Sequence, residues 1–405
     1  MRKLLLSLAV LVGLSACDHA TNDQKNESDQ SSVNQHGEIT KGVAPYLFKD
    51  FNDNVYLSWT EQNDSINELQ FSVLSQDNWT EPKTIAKGTD WFINWADYPI
   101  LATKTGKNFI AHYLQKSSKG TYSYDVMLKQ STDSGATWVE PRILHDDGKQ
   151  AEHGFVSIAP YNDNFFVSWL DGRNTVSQKK TDHAHHGSSG AMTLRAAVIT
   201  PSGEKLKEWE LDNRVCDCCQ TTAVITNNGP VVAYRDRSSK EIRDISITRL
   251  IDAKWSSPQT IHDDAWKIAG CPVNGPRMSA KENALAVAWF TVQDGEGKVK
   301  MKFSTDSGET FGPEIIINQQ TAIGRVDVEL LDDQSALVSW MEGSEIMAAR
   351  INPDGEIIAR YTIATSSENR GSGFPQMTVA KNKAIFTWTD SEKKTIQWAS
   401  LNFKN

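Results

Sequence analysis

The sequence predicts an all-β chain folded as a propeller of four-stranded blades, and three observations lead there. A short apolar strand ending in an aromatic residue recurs seven times. Successive aromatics fall 54, 56, 65, 55, 51 and 48 residues apart. No long amphipathic helical pattern interrupts the series. A period near fifty made of short strands and turns is the signature of a radial β-repeat.

The seven copies are Val55-Tyr56-Leu57-Ser58-Trp59, Phe109-Ile110-Ala111-His112-Tyr113, Phe165-Phe166-Val167-Ser168-Trp169, Val231-Val232-Ala233-Tyr234, Leu285-Ala286-Val287-Ala288-Trp289, Ala336-Leu337-Val338-Ser339-Trp340 and Ala384-Ile385-Phe386-Thr387-Trp388. Another short strand precedes most copies, often opened by proline: Pro45, Pro99, Pro160, Pro276 and Pro375. A third strand follows each copy, such as Leu69-Gln70-Phe71-Ser72-Val73, and a fourth follows in most, such as Lys83-Thr84-Ile85. The last repeat stops soon after its third strand, Thr395-Ile396-Gln397-Trp398, and Glu38-Ile39-Thr40 can supply its fourth. Seven blades are therefore expected, with six and a stray hairpin as the alternative.

Two turns between third and fourth strands share one pattern. They read Ser131-Thr132-Asp133-Ser134-Gly135-Ala136-Thr137-Trp138 and Ser304-Thr305-Asp306-Ser307-Gly308-Glu309-Thr310-Phe311. The physics of the pattern is local. The aspartate accepts turn amides, glycine takes a positive φ, and the aromatic packs beneath. Degenerate copies stand at Asp77-Asn78-Trp79 and Ala253-Lys254-Trp255. The pattern resembles the Asp-box, or BNR repeat, of the sialidase superfamily, and the resemblance runs from about Val43 to the C-terminus. It implies a sialidase-like propeller whose Asp-boxes lie on the face away from the active site.

Residues 1–17 read as a targeting segment. Arg2 and Lys3 precede an apolar run, and Leu14-Ser15-Ala16-Cys17 closes it. The segment resembles a bacterial lipoprotein signal, which implies lipidation at Cys17 and attachment of the protein to a membrane of the cell envelope, facing the periplasm or the surface. Asp18 matches the inner-membrane retention signal of enterobacterial lipoproteins. Residues 18–41 are polar and are expected to form a disordered tether, leaving 42–405 as the propeller. Net charge is −9 with both signs interspersed, and there is no basic stripe, so nucleic acid is not an expected partner. No nucleotide cofactor is expected.

The chemistry concentrates at Arg214-Val215-Cys216-Asp217-Cys218-Cys219-Gln220-Thr221-Thr222. One further cysteine, Cys271, follows in Gly270-Cys271-Pro272. Joining Cys216 to Cys218, or Cys218 to Cys219, would strain disulfide geometry. Pairing Cys218 with Cys271 and Cys216 with Cys219 is feasible, and the second pair is a C-x-x-C of redox type. The other reading is a thiolate cluster for a soft ion, copper or zinc. Strand order puts both cysteine loops on one face. The same face carries His153 and a long loop with His183, His185 and His186, which are further candidate ligands.

Arg235, Asp236 and Arg237, with Arg243 and Asp244, form a charged loop beside the cysteines. It reads either as an ion-pair network or as a carboxylate-binding site. Trp91, Trp95 and Asp97 either line a ligand cleft or pack the core and rim. The sialidase resemblance implies three arginines that clamp a carboxylate, a Tyr-Glu nucleophile pair and an acidic acid/base. The place of the first arginine reads Val43-Ala44-Pro45-Tyr46-Leu47 and lacks one. Arg277 and Arg370 are the remaining clamp candidates, and the sequence assigns no Tyr-Glu pair. Three functions stay open: a metal or redox site on an envelope propeller, a glycoside hydrolase of the sialidase class, and a disulfide-braced scaffold for an envelope protein.

Overall fold

The computed structural model describes residues 32–176 and 190–403. Those residues form seven antiparallel blades, each with four radial strands. Blade one comprises Val43–Lys49, Val55–Asn63, Ile66–Ser75 and Lys83–Gly88. Blade two comprises Leu101–Thr103, Phe109–Lys116, Tyr124–Ser131 and Arg142–Ile143. Blade three is His153–Tyr161, Asn164–Asp171, Met192–Ile199 and Lys205–Val215. Blade four is Thr222–Thr226, Gly229–Arg235, Ile245–Ile251 and Gln259–Thr260. Blade five is Arg277–Lys281, Ala284–Gln293, Glu296–Ser304 and Ile315–Ile316. Blade six is Gly324–Leu330, Ala336–Glu342, Glu345–Ile351 and Ile357–Thr365. Two-residue strands at Asn78–Trp79 and Lys254–Trp255 fold back and pair antiparallel with the ends of the third strands of blades one and four, where the degenerate Asp-boxes fall.

Blade seven closes the ring. Its first three strands are Gln376–Ala380, Lys383–Asp390 and Thr395–Asn402. The fourth comes from the other end of the chain: Ser32–Lys41 pairs antiparallel with Thr395–Asn402. The polar tether expected to run to Lys41 therefore ends earlier. The segment is strand because its backbone satisfies an exposed sheet edge, which needs no apolar side chains. His36 is held as well: its ring stacks on Trp398 at 3.9 Å and its Nε2 lies 2.8 Å from Ser400 Oγ. Residues 1–31, including the lipidation candidate Cys17, lie outside the described residues. Among the described residues, no helix is long and apolar enough to cross a membrane.

The recurring apolar strand is the second of each blade, and both its faces are buried. That is why it reads as a continuous apolar run rather than an alternation. Trp59, Trp169, Trp289 and Trp340, which end their copies, are almost wholly buried. Both Asp-boxes adopt the expected turn. Asp133 accepts from Thr137 N at 2.9 Å and Thr137 Oγ1 at 2.6 Å, and Asp306 holds Thr310 with the same two distances. Gly135 has φ of 75°, and a Cβ there would come within 2.6 Å of Phe71, so no other residue fits. Trp138 packs edge-on against Phe71.

The innermost strands are stitched sideways by side chains that bond a neighbour's backbone. Asp97 accepts from Phe155 N at 2.7 Å, Ser157 Oγ from Ala223 N at 2.8 Å, and Asp327 from Met377 N at 2.9 Å. Asn274 Oδ1 accepts from Arg325 N at 2.7 Å. Around the axis these strands enclose a cavity of about 260 Å³, lined in part by Tyr46, Ser157, Thr222, Arg277, Asp327 and Glu329.

Deleting the residues up to Lys41 strips eight paired positions from the blade-seven edge. At about 0.5–1 kcal/mol net per hydrogen bond, this should cost roughly 4–8 kcal/mol. Thermal unfolding should show a midpoint at least about 5 °C lower than that of the full chain. An unchanged midpoint would mean that the strand does not close the ring.

Candidate metal centre and its surroundings

Two loops build the cysteine site. The first links the outer strand of blade three to the inner strand of blade four, and the second links blades four and five. Both lie on the face opposite the Asp-boxes, because strand direction alternates within each blade. Cys216 follows directly on Lys205–Val215, and its N–H donates to Arg235 O at 3.0 Å. Gln220 then fixes the loop on both sides. Its Nε2 donates to Ala96 O at 2.7 Å, and its Oε1 accepts from Gly275 N at 2.9 Å. Gly275 is needed for that approach, since a Cβ would lie 2.1 Å from Gln220 O.

The result is a buried triad. Cys216 Sγ lies 3.4 Å from Cys219 Sγ and 4.0 Å from Cys218 Sγ. Cys216 and Cys219 are buried, Cys218 is partly buried and Cys271 is exposed. All four are free thiols, so neither disulfide pairing is formed. Cys271 stands beside the triad, and the neighbouring Cys218 thiol holds it below the ordinary thiol range. Three sulfurs around one tetrahedral ion, each about 2.3 Å from it, stand roughly 3.8 Å apart. The observed spacing brackets that value.

Burial opposes ionisation of Cys216. Hydrogen bonds from Cys218 and Cys219, together with the charge of Arg243, outweigh it and hold this thiol well below the ordinary range. Arg243 Nη1 lies 3.1 Å from Cys216 Sγ. The thiols of Cys218 and Cys219 are pushed up, Cys218 chiefly by its bonds to the neighbouring sulfurs and Cys219 chiefly by burial. The surroundings thus favour a thiolate at Cys216 and oppose one at Cys218 and Cys219, whose protons an incoming cation would have to displace.

The charged loop supports the cysteines. Arg237 grips Asp217 of the cysteine loop at 3.0 and 3.2 Å and Glu241 at 2.9 Å. Glu241 in turn meets Arg243 at 2.9 Å. Arg235 is buried and donates to three backbone carbonyls, of Asn274, Arg243 and Phe290. Asp236 accepts from Ser246 Oγ at 3.1 Å, and burial raises its carboxyl to about 6. Arg277 sits in the central cavity, paired with Asp327 at 3.1 Å and bonded to Gln376 at 3.1 Å. Arg370 lies on the rim over Trp95, 5.9 Å from its ring centre. Trp91 is core, stacked on Tyr113 at 4.3 Å. His183, His185 and His186 fall outside the described residues.

Two groupings were not evident in the sequence. Tyr124 OH bonds Glu152 Oε1 at 2.9 Å and buried Asp97 Oδ2 at 3.3 Å. Burial raises the Asp97 carboxyl to about 7 and that of Glu152 to about 8. Glu152 also feels the charge of Asp217 and Cys271, so it borders the cysteine site. The second grouping joins Asp125, His145, Asp147, His153 and Asp171 in a buried cluster between blades two and three. Only the short spacing from His145-Asp146-Asp147 to His153 marks it in the sequence.

The family model for the BNR repeat-like domain matches residues 60–248. No curated protein matches the chain. Among solved structures, the polysaccharide lyase Uly1 superimposes with a TM-score of 0.54 at 8% identity, over 90% of each chain. The α-L-arabinofuranosidase Arb93A from Fusarium graminearum gives 0.50 at 12% identity, over 92% of this chain and 98% of that one. The K499G mutant of NanB sialidase from Streptococcus pneumoniae gives 0.46 at 10% identity, over 93% of both. Likeness at these identities concerns the fold alone, and the sheets of this chain make it a seven-bladed, BNR-repeat-like β-propeller.

Asp97 and Glu152 tie stability to pH with a definite sign. Their folded carboxyls bind protons that the unfolded chain releases above about pH 4. The stability they contribute is full below that pH and is lost as pH rises through about 7 and 8. Asp97→Asn keeps the acceptor for Phe155 N and should flatten the fall in thermal midpoint between pH 5 and 8. A variant with the wild-type slope would show that Asp97 ionises normally.

Proposed function

We propose that this protein is a metal-binding propeller of the bacterial envelope, holding one thiophilic ion, copper(I) or zinc, at Cys216, Cys218 and Cys219. The observation that carries the reading is the sulfur spacing of 3.4 and 4.0 Å, with Arg243 Nη1 3.1 Å from Cys216 Sγ. Soft thiolates select such ions. Cys271 is the fourth ligand. Its exposure makes it the point at which an ion is passed in or out, which suits metal handling. The arginines around the site order the loop and stabilise the anionic sulfurs.

A carbohydrate-active site is the second reading, favoured by the Tyr124–Glu152–Asp97 group. It joins a phenol to two carboxyls that change charge near neutral pH. Sialidase activity in particular is less well supported. Arg277, the best clamp candidate, is engaged by Asp327 and Gln376.

Metal content is the direct test. Protein purified anaerobically should carry about one copper or zinc at the thiolate site, lost in Cys218→Ser and Cys219→Ser with the β spectrum intact. Native protein that binds neither ion at these cysteines would end the reading.

The envelope location rests on the lipoprotein-like signal ending at Cys17. Blocking lipoprotein signal cleavage with globomycin should leave an unprocessed precursor, and Cys17→Ser should release the protein from the membrane fraction. Normal membrane attachment of Cys17→Ser would remove this part of the proposal.

A further inference from the structure

We infer, resting on the metal reading above, that the cysteine centre is redox-gated. A molecule bearing a disulfide exchanges with Cys271 and Cys218, joins them to each other and drives the ion out.

The four sulfurs are placed unequally. Cys216 and Cys219 are only 1% and 2% exposed, and their sulfurs lie 3.4 Å apart. The Cys216 sulfur is also covered by Arg243 Nη1 at 3.1 Å. Cys218 is partly buried, with its sulfur 4.0 Å from that of Cys216. Cys271 is exposed and stands beside Cys218. It lies outside the group of three whose sulfurs are all within 4.8 Å of one another. A disulfide in solution therefore meets Cys271 first and Cys218 next, while the inner pair is shielded.

The frame suits a bridge between the outer two. Their loops are already pinned together close to these sulfurs. Gln220 Oε1 accepts from Gly275 N at 2.9 Å, Arg235 Nε donates to Asn274 O at 2.9 Å, and Thr222 Oγ1 donates to Pro276 O at 2.7 Å. Joining Cys218 to Cys271 links two segments held side by side, and no blade has to move. The other pairings are worse. Cys218 is too near in sequence to Cys216 and to Cys219 for an unstrained disulfide. Pairing Cys216 with Cys219 would require the incoming molecule to enter the buried side, past Arg243.

The exchange takes two steps. The Cys271 sulfur, as a thiolate, attacks one sulfur of the incoming disulfide. That S–S bond breaks, and the departing sulfur leaves with the electron pair. The Cys218 sulfur then gives up its metal bond and attacks Cys271 Sγ in the mixed disulfide, expelling the second thiolate. Two cysteine sulfurs are oxidised, and one disulfide is reduced to two thiols that take their protons from solvent. The site is left with Cys216 and Cys219, two of the four donors that a closed tetrahedral centre needs, and the ion departs with its charge unchanged. A dithiol reverses the sequence and restores the ligands.

The test uses the full chain loaded anaerobically with zinc, or with copper(I) where zinc is not retained. Excess bis(2-hydroxyethyl) disulfide should release about one ion per chain to a chromogenic chelator, and dithiothreitol with fresh metal should restore binding. Peptide mass mapping without reduction should find Cys218 joined to Cys271, and Cys216 and Cys219 free. Cys271→Ser keeps the inner three sulfurs, and the ion it holds should be released at least about tenfold more slowly. Circular dichroism checks that this variant folds, and mapping of the unmutated chain decides the pairing without it. Metal retained in the presence of the disulfide, or released with Cys216 joined to Cys219, would overturn the gate and leave the metal reading standing. So would release from folded Cys271→Ser at the rate of the unmutated chain. A chain that takes up neither ion before the disulfide is added would instead overturn the metal reading, and the gate with it.

Discussion

Gln220 is the contact on which the cysteine site depends. One amide spans two neighbouring loops, donating to Ala96 O and accepting from Gly275 N. Arg235, accepting from Cys216 N and donating to Asn274 O, and Thr222, donating to Pro276 O, tie the loops of Cys216 and Cys271 together beside it. The same device recurs around the axis: Asp97, Ser157, Asn274 and Asp327 each satisfy a backbone amide of the next blade. Each bond is buried, so removing one partner leaves an unpaired polar group. The inner ring is therefore rigid, and the loops it carries inherit that rigidity.

Electrostatics on the cysteine face follow from this frame. Arg235, Arg237 and Arg243 converge on one loop, and each is engaged by the protein itself. Arg235 serves three carbonyls, Arg237 pairs with Asp217 and Glu241, and Arg243 bonds Cys216 and Glu241. Only the contact of Arg243 reaches a sulfur directly. Its charge stabilises the thiolate state of Cys216 against burial. Read from the sequence, these arginines offered either an ion-pair network or an anion site. The structure has the network, with the Cys216 sulfur among the partners of Arg243.

Much of the fold was legible because the second strand of every blade is buried on both faces and ends in an aromatic. The Asp-boxes were legible because their hydrogen bonds are local. The cysteine triad was legible for the same reason, its sulfurs falling within four residues. What escaped was assembled across distance or carried no apolar signal. The His/Asp cluster draws Asp125, His145, Asp147, His153 and Asp171 from three strands and a connecting loop. Tyr124 and Glu152 meet only because two blades abut. Ser32–Lys41 is polar along most of its length, and only its backbone pairing makes it a strand.

The union of the chain's two ends in blade seven has a consequence for the order of assembly. His36 and Ser400 touch across a separation of 364 residues. Contacts of that range are slow to form, because a long loop must close before the pairing stabilises it. Until the last strand emerges, the first-made segment has no partner and the circle stays open. Blades two to five can pack before then, and with their connecting loops they carry every cysteine of the proposed metal site. Ligand geometry can thus be complete in an arc, while the last strand decides when the molecule becomes a ring.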